Sequence, residues 1–399
     1  MRMDDCSSGA SRIGLVLGGG GARAAYQAGV LRAIAHLLPR DASNPFPVIS
    51  GTSAGAINAV ALASNAANFR AGVRRMVLIW RNLHVHQVYR SDFPGVAKSG
   101  ARWLKAMMFG LGGSHPISLL DNSPLRSLLA EHVDFGTIDD CVAAGHLDAI
   151  SVTASGYTSG QSVTFYQGLD SLTPWKRARR LGFPAKLGIP HLMASSAIPF
   201  VFPAVHINRE YFGDGSMRQI APISPALHLG ADRVLIITAG RMAREQPERV
   251  KTTGYPSLAQ IAGHALASIF LDTLESDIER LERVNRTLSL LPPEILASEQ
   301  LPLRRIEHLV ISPSEEIEPI AQRYAHELPR TIRFFLRGLG VKKRSGANLV
   351  SYLLFERAYC RALIALGYKD TMRRRDEVQG FFGVTRRSGV QAVDAELEP

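Results

Sequence analysis

The sequence predicts an α/β fold built on a mostly parallel central sheet, and three observations carry that reading. Short apolar runs suited to buried strands alternate with stretches of helical periodicity. Two of those runs end directly in glycine-containing turns that lead into helices. The chain of 399 residues is 46% hydrophobic and 20% charged, enough apolar content to cover both faces of a sheet.

Ile13–Leu17 reads as the first strand and enters the glycine cluster Gly18–Gly21. Ala24–Leu38 follows as a helix, with Tyr26, Val30, Ile34 and Leu37 near a helical repeat, and Pro39 ends it. Val48–Ser50 predicts the second strand, a sharp glycine-bounded turn comes next, and Ala54–Asn65 is a helix of small residues. Ala149–Thr153, Ser162–Tyr166, Val234–Thr238 and Leu309–Ser312 are the remaining strand-like runs. Phe69–Leu120 breaks the alternation. It mixes Arg70, Arg74, Arg75 and Arg81 with Trp80, Trp103, Met107, Met108 and Phe109, and reads as a helical insertion. Its charges suit a solvated helix face, and its aromatic residues suit a surface for lipid. Ser257–Leu290 predicts a second helical block, and Tyr324–Leu339 and Leu349–Leu366 predict helices of a C-terminal extension with the basic run Arg373–Arg375. The expected organisation is a flexible N-terminus over residues 1–12 and one α/β domain over 13–313, carrying the insertion near 69–120 and the block near 257–290. A helical extension over 314–380 and a disordered tail over 381–399 complete it.

Composition excludes several classes. Disorder needs far less apolar content, and collagen-like repeats need more than the 35 Gly and 22 Pro present. Three scattered cysteines, Cys6, Cys141 and Cys360, make neither a disulfide framework nor a Cys-rich metal site, and they fit a reducing compartment. No apolar h-region precedes the first strand, so no signal peptide is expected. The uncharged stretch Gly188–Asn208 has the length of a membrane span, yet Pro190, Pro199 and Pro203 would break such a helix. The expected location is cytoplasmic, peripheral at the inner membrane. The net charge is +11, and from Arg330 onward 14 Lys and Arg face 7 Asp and Glu, so this region alone contributes +7. Such an excess favours anionic partners, acidic phospholipid surfaces or nucleic acid. The region lacks the interleaved aromatic residues of single-strand binders, which disfavours nucleic acid.

Three constellations carry chemistry. Gly51-Thr52-Ser53-Ala54-Gly55 is a G-x-S-x-G between a strand and a helix. A nucleophile elbow needs small residues two positions either side of the serine, because the turn brings strand and helix backbones close, and it aims a helix N-terminus at developing negative charge. Gly18-Gly19-Gly20-Gly21-Ala22-Arg23 also joins a strand to a helix, and its consecutive glycines let backbone N–H groups converge on an anion. Gly19-x-Gly21-x-x-Ala24 fits a dinucleotide fingerprint with Asp41 as the ribose contact, although Asp41 follows no strand. The elbow arriving one helix later favours an oxyanion loop beside Ser53 instead. Gly213-Asp214-Gly215 alone reads as a turn; beside a serine nucleophile, Asp214 becomes a candidate base. A hydrolase order Ser…Asp…His would need His228, His264, His308 or His326, none of which sits in a glycine-rich loop. No zinc spacing and no phosphate-binding P-loop ending occur.

In this order, the motifs resemble the patatin-like phospholipase family. The family's Gly-Gly-Gly-x-Arg/Lys-Gly loop stands as Gly19–Arg23 followed by Ala24, its Gly-x-Ser-x-Gly as Gly51–Gly55, and its Asp-Gly-Gly/Ala as Asp214-Gly215-Ser216. Met193–Phe200 and the segment from Pro222 to Val234 are similar to family segments too, so the resemblance spans about Ile13 to Thr238. It implies a three-layer α/β/α patatin-like fold and a Ser–Asp dyad without histidine or metal. Ser53 would be the nucleophile and Asp214 the base, with an oxyanion hole from Gly19, Gly20, Gly21 and Ala54 and support from Gly51, Gly55 and Gly215. Arg23 would either orient the loop or meet a lipid phosphate. The implied substrates are acyl esters of phospholipids or lysophospholipids at an anionic membrane, with no cofactor, and a homo-oligomer is compatible with these features. Ala24 and Ser216 depart from the family pattern, both by small residues. Rival expectations are a non-catalytic lipid-binding module on this fold and a dinucleotide-binding oxidoreductase.

Overall fold

The alternating apolar runs become a ten-stranded mixed sheet. A computed structural model of the chain describes residues 11–92, 118–242, 273–292, 303–338 and 347–384, with positions 261, 264 and 268. Strands β1 (Ile13–Leu17), β2 (Val48–Thr52), β3 (Ala149–Gly156), β4 (Ser162–Gly168), β5 (Trp175–Arg177), β6 (Arg180–Pro184), β7 (Val205–Ile207), β8 (Glu210–Asp214), β9 (Arg233–Ile237) and β10 (Glu307–Ile311) make up the sheet. The main order is β10-β9-β1-β2-β3-β4-β6-β5. From β10 to β3 every pairing is parallel, and these strands are the sequence's most continuous apolar runs, as burial on both faces requires.

The sheet separates two apolar layers. Leu15, Leu17, Ile49, Ile150 and Val152 face one side, while Val16, Val48 and Ala149 face the other. The larger layer holds α1 (Ala25–Leu37), α2 (Ala54–Ala63), α3 (Phe69–Arg81), α4 (Ser123–His132), α5 (Gly136–Ala143) and α6 (Ile189–Ser195). The smaller holds α7 (Ser224–His228) and α8 (Thr273–Ser289). The result is the expected three-layer α/β/α arrangement with a helical C-terminal region, made of α9 (Ile317–Tyr324), α10 (Arg330–Gly338), α11 (Ala347–Leu353), α12 (Arg357–Arg373) and α13 (Arg375–Phe381).

Several local expectations are refined. The helix expected over Leu349–Leu366 is two helices, broken at Leu354–Glu356, and its residues Tyr352, Tyr359 and Leu363 lie fully inside the main core. The C-terminal helices therefore belong to the same apolar cluster as the sheet. In the insertion, α3 is an amphipathic core helix. Phe69, Val73, Met76, Val77 and Trp80 form its buried stripe, while Arg74 and Arg75 lie in solvent. Trp103, Met107, Met108 and Phe109 lie outside the described residues, as do residues 1–10, most of 257–272 and residues 385–399.

Candidate active site

The sheet itself brings Ser53 and Asp214 together. Parallel pairing of β2 with β3 ends at Thr52 opposite Thr153. The other edge of β3 is occupied by β4 as far as Ser155. Strand β8 runs antiparallel and pairs Asp214 with Ala154, so it takes up the edge that β2 has just vacated. The last residue of β8 thus meets the first residue beyond β2. The Ser53 hydroxyl donates to Asp214 Oδ2 at 2.6 Å. Asp214 is therefore a strand end and not the turn residue that two flanking glycines suggest.

Ser53 sits at the cap of α2 with φ 56° and ψ −131°, a left-handed conformation that a non-glycine residue adopts only at a cost of about 1–3 kcal/mol. The flanking glycines are explained by space. A Cβ at Gly51 would lie 2.6 Å from the Ala56 Cα, and one at Gly55 would lie 2.3 Å from the Leu17 carbonyl oxygen. The second contact presses the elbow against the C-terminal end of β1, where the glycine loop begins. Two further groups hold Ser53 and Asp214 in place. The Ser53 N–H donates to Ser195 Oγ at 2.8 Å, and Ser195 donates onward to the Thr153 carbonyl at 2.6 Å. Two residues later, the Ala197 carbonyl accepts the Asp214 N–H. Sequence reasoning missed this clamp, because nothing in the pattern of α6 distinguishes Ser195 from a cap.

Asp214 is fully buried and accepts the Ser216 N–H on its second oxygen at 2.9 Å. Burial is the dominant influence and pushes its carboxyl up from 3.8 to about 6, against the opposing hydrogen bonds from Ser53 and Ser216. Tyr157 packs over Gly213, and its phenol is pushed up by burial and by the Asp214 charge. The histidines considered from sequence lie elsewhere. His228 stacks on Trp175 and bonds the Ser224 carbonyl, His308 pairs with Glu282, and His326 bonds the Arg323 carbonyl. Position 264 is helical. Asp41 lies exposed in a turn well before β2 begins, so it does not occupy the ribose-binding position of a dinucleotide fold.

Gly18 donates its N–H to the Ile237 carbonyl, and the next three glycines lead into a short 3-10 turn, Gly21–Ala24. Among the described residues, no hydrogen bond uses the N–H of Gly19, Gly20, Gly21 or Ala54. Gly21 has φ 54°, and a Cβ there would lie 2.4 Å from the Tyr352 carbonyl oxygen. Of the two roles expected for Arg23, contact with a lipid phosphate is corrected. Its side chain is 1% exposed, donates to Ser351 Oγ, Asn348 Oδ1 and Glu318, and stacks on Tyr352. It ties the loop to α9 and α11.

Ser53 opens onto an apolar cavity. One face of α2 (Ile57, Ala61), Met76 and Trp80 of α3, Leu125 and Leu129 of α4, and Ile198, Phe202 and Phe355 line it. Such a wall suits a hydrocarbon chain with its reacting carbon at Ser53. Ser196 lines it too, and its buried hydroxyl has no hydrogen-bond partner among the described residues. Among the described residues, no three His, Cys, Asp or Glu side chains cluster as a metal site would require, and no helix is long and apolar enough to cross a membrane.

Comparison with known proteins adds the following. The family model for patatin-like phospholipase matches residues 15–227, just over half of the chain and including Gly18–Arg23, Gly51–Gly55 and Asp214-Gly215. No curated protein sequence matches. Solved structures similar to the chain include VipD from Legionella pneumophila, at 12% identity and a TM-score of 0.35, covering 92% of this chain and 67% of that one. The type III effector protein ExoU is similar at 14% identity and a TM-score of 0.28, covering 96% of this chain and 90% of its own.

Proposed function

We propose, for a chain that belongs to the patatin-like phospholipase family, that it hydrolyses fatty-acyl esters of phospholipids or lysophospholipids with a Ser53–Asp214 dyad. Membership of the family supports a lipid acyl hydrolase. The finer reading rests on one observation above all: the 2.6 Å hydrogen bond from the Ser53 hydroxyl to Asp214, placed at an apolar cavity.

Ser53 Oγ attacks the ester carbonyl carbon while its proton passes to Asp214. A carboxyl near 6 is a better match for this step than an ordinary carboxylate near 4. The oxyanion that forms takes hydrogen bonds from the N–H groups of Gly20, Gly21 and Ala54, with Gly19 leading the loop into place. The Ser53 N–H is already committed to Ser195. Losing one such donor typically costs about 3 kcal/mol of transition-state stabilisation, so the loop matters nearly as much as the dyad. Collapse of the intermediate breaks the carbon–oxygen bond to the alcohol, which leaves with the proton from Asp214. Water then attacks the acyl-enzyme, Asp214 takes its proton, and the fatty acid departs as that proton returns to Ser53. The cavity beside α2 holds the acyl chain throughout. An anionic bilayer surface is the proposed setting, supported by the net charge of +11 and its C-terminal excess.

The test is release of fatty acid from a lysophospholipid, followed by mass spectrometry. Wild type should release it catalytically and Ser53→Ala should fall to background. Release that persists in Ser53→Ala would refute the assignment.

A further inference from the structure

A second buried polar cluster lies directly under the glycine loop. Gln27 of α1 and Asn58 of α2 are 0% and 1% exposed. Trp80 Nε1 donates to Asn58 Oδ1 at 2.8 Å. Asn58 Nδ2 donates to Gln27 Oε1 at 2.9 Å and to the Ala24 carbonyl at 3.2 Å. Gln27 Nε2 donates to the Gly18 carbonyl at 2.8 Å. The polarity of this chain is forced. An indole can only donate, so Asn58 presents its oxygen to Trp80 and its amide to Gln27; Gln27 must then accept on its oxygen and donate to Gly18. The amide pair grips both ends of the loop, Gly18 and Ala24, whose middle residues carry the uncommitted N–H groups. At its far end stands Trp80, a wall of the cavity.

Resting on the reading of Ser53 as an acyl-transfer nucleophile, we propose that Gln27 and Asn58 are positioning residues for the oxyanion loop and that Trp80 couples loop geometry to the presence of an acyl chain in the cavity. A chain packed on the indole fixes the Trp80 N–H, and the hydrogen-bond series transmits that constraint to Gly18. The cavity face of α2 runs from Ser53 to Ala61, about 12 Å along the helix, which is roughly the reach of a decanoyl chain. Short acyl groups leave the indole untouched.

The experiment compares steady-state hydrolysis of p-nitrophenyl acetate and p-nitrophenyl decanoate by wild type, Gln27→Met, Trp80→Phe and Ser53→Ala, with melting temperatures recorded for each. Gln27→Met keeps about the same side-chain length and removes the donor to Gly18; Trp80→Phe keeps one aromatic ring in the wall and removes the N–H together with the five-membered ring of the indole. The expected results are a kcat about 10- to 100-fold lower in Gln27→Met with KM within about twofold, and a wild-type preference in kcat for decanoate over acetate that shrinks about fivefold or more in Trp80→Phe. A merely structural role would lower the melting temperature while leaving kcat and its chain-length preference in place, and that outcome overturns the inference. If Gln27→Met does not fold, the chain-length preference of Trp80→Phe decides the matter alone. Turnover that survives in Ser53→Ala contradicts the underlying reading, whereas Ser53-dependent turnover with wild-type kcat in Gln27→Met and an unchanged preference in Trp80→Phe contradicts this inference only.

Discussion

At the scale of single residues, Asp214 carries the clearest consequence. Its carboxyl titrates near 6 in the fold and near 4 in the unfolded chain. As pH rises, the unfolded chain ionises first, so the fold loses stability between about pH 4 and 6 and loses no more above that range, up to about 3 kcal/mol in total. Asp214→Asn should therefore melt above wild type at pH 8, lose that advantage near pH 4, and be nearly inactive at both, as thermal scans and ester assays at the two pH values will check. In wild type, kcat/KM should rise across pH 5 to 7 with a midpoint near 6, because only the ionised carboxylate accepts the serine proton. A flat profile over that range would contradict the assignment of Asp214 as base. Ser53 and the glycine loop were legible in the sequence, since tight turns and anion-binding backbones demand particular residue types at particular spacings. Ser195, Gln27 and Asn58 were not, because a buried polar side chain leaves no pattern until its partner is known.

At the scale of elements, the junction between α1 and α12 joins the helix that follows the glycine loop to the C-terminal region. The two helices cross at paired glycines. A Cβ at Gly29 would lie 2.1 Å from the Ile364 carbonyl oxygen, and one at Gly367 would lie 2.3 Å from the Tyr26 carbonyl oxygen. Alanine gains about 1 kcal/mol of helix propensity over glycine, but here the added carbon meets backbone that cannot rotate away. Gly29→Ala should lower stability by about 1–3 kcal/mol net in urea unfolding. An increase in stability would mean that the crossing is looser than described. Six strands were readable because each carries a short run of apolar and β-branched residues. Strands β5 to β8 were not readable, being short, charged or glycine-bearing and partly exposed. Strands β8 and β6 are placed by pairing with β3 and β4, and β7 and β5 by pairing in turn with β8 and β6, long-range relations that local periodicity does not contain. The Arg and Trp mixture of α3 left two readings open in the sequence; packing assigns Trp80 to the cavity wall and Arg74 and Arg75 to water.

At the scale of the whole molecule, the matched family segment ends at residue 227, yet β9, β10 and the C-terminal helices complete the sheet and the core. Arg23 makes this explicit, since a motif residue of the glycine loop finds its partners at Glu318, Asn348 and Ser351. The charge excess gives a second global expectation. Binding to anionic vesicles, measured by sedimentation, should weaken steeply between about 0.05 and 0.5 M salt as screening shortens the reach of surface charge to a few ångströms. Binding unchanged over that range would exclude an electrostatic contribution. The central claim is that a serine on a strained elbow, activated by one buried aspartate and served by a glycine loop, performs acyl transfer. The most direct measurement is the rate of covalent labelling by a fluorophosphonate probe, with the modified peptide located by mass spectrometry, in wild type, Ser53→Ala and Asp214→Asn. The account predicts wild-type labelling at Ser53, none in Ser53→Ala and a rate at least about 100-fold lower in Asp214→Asn. Labelling that persists in Ser53→Ala, or that proceeds at the wild-type rate in Asp214→Asn, would contradict it.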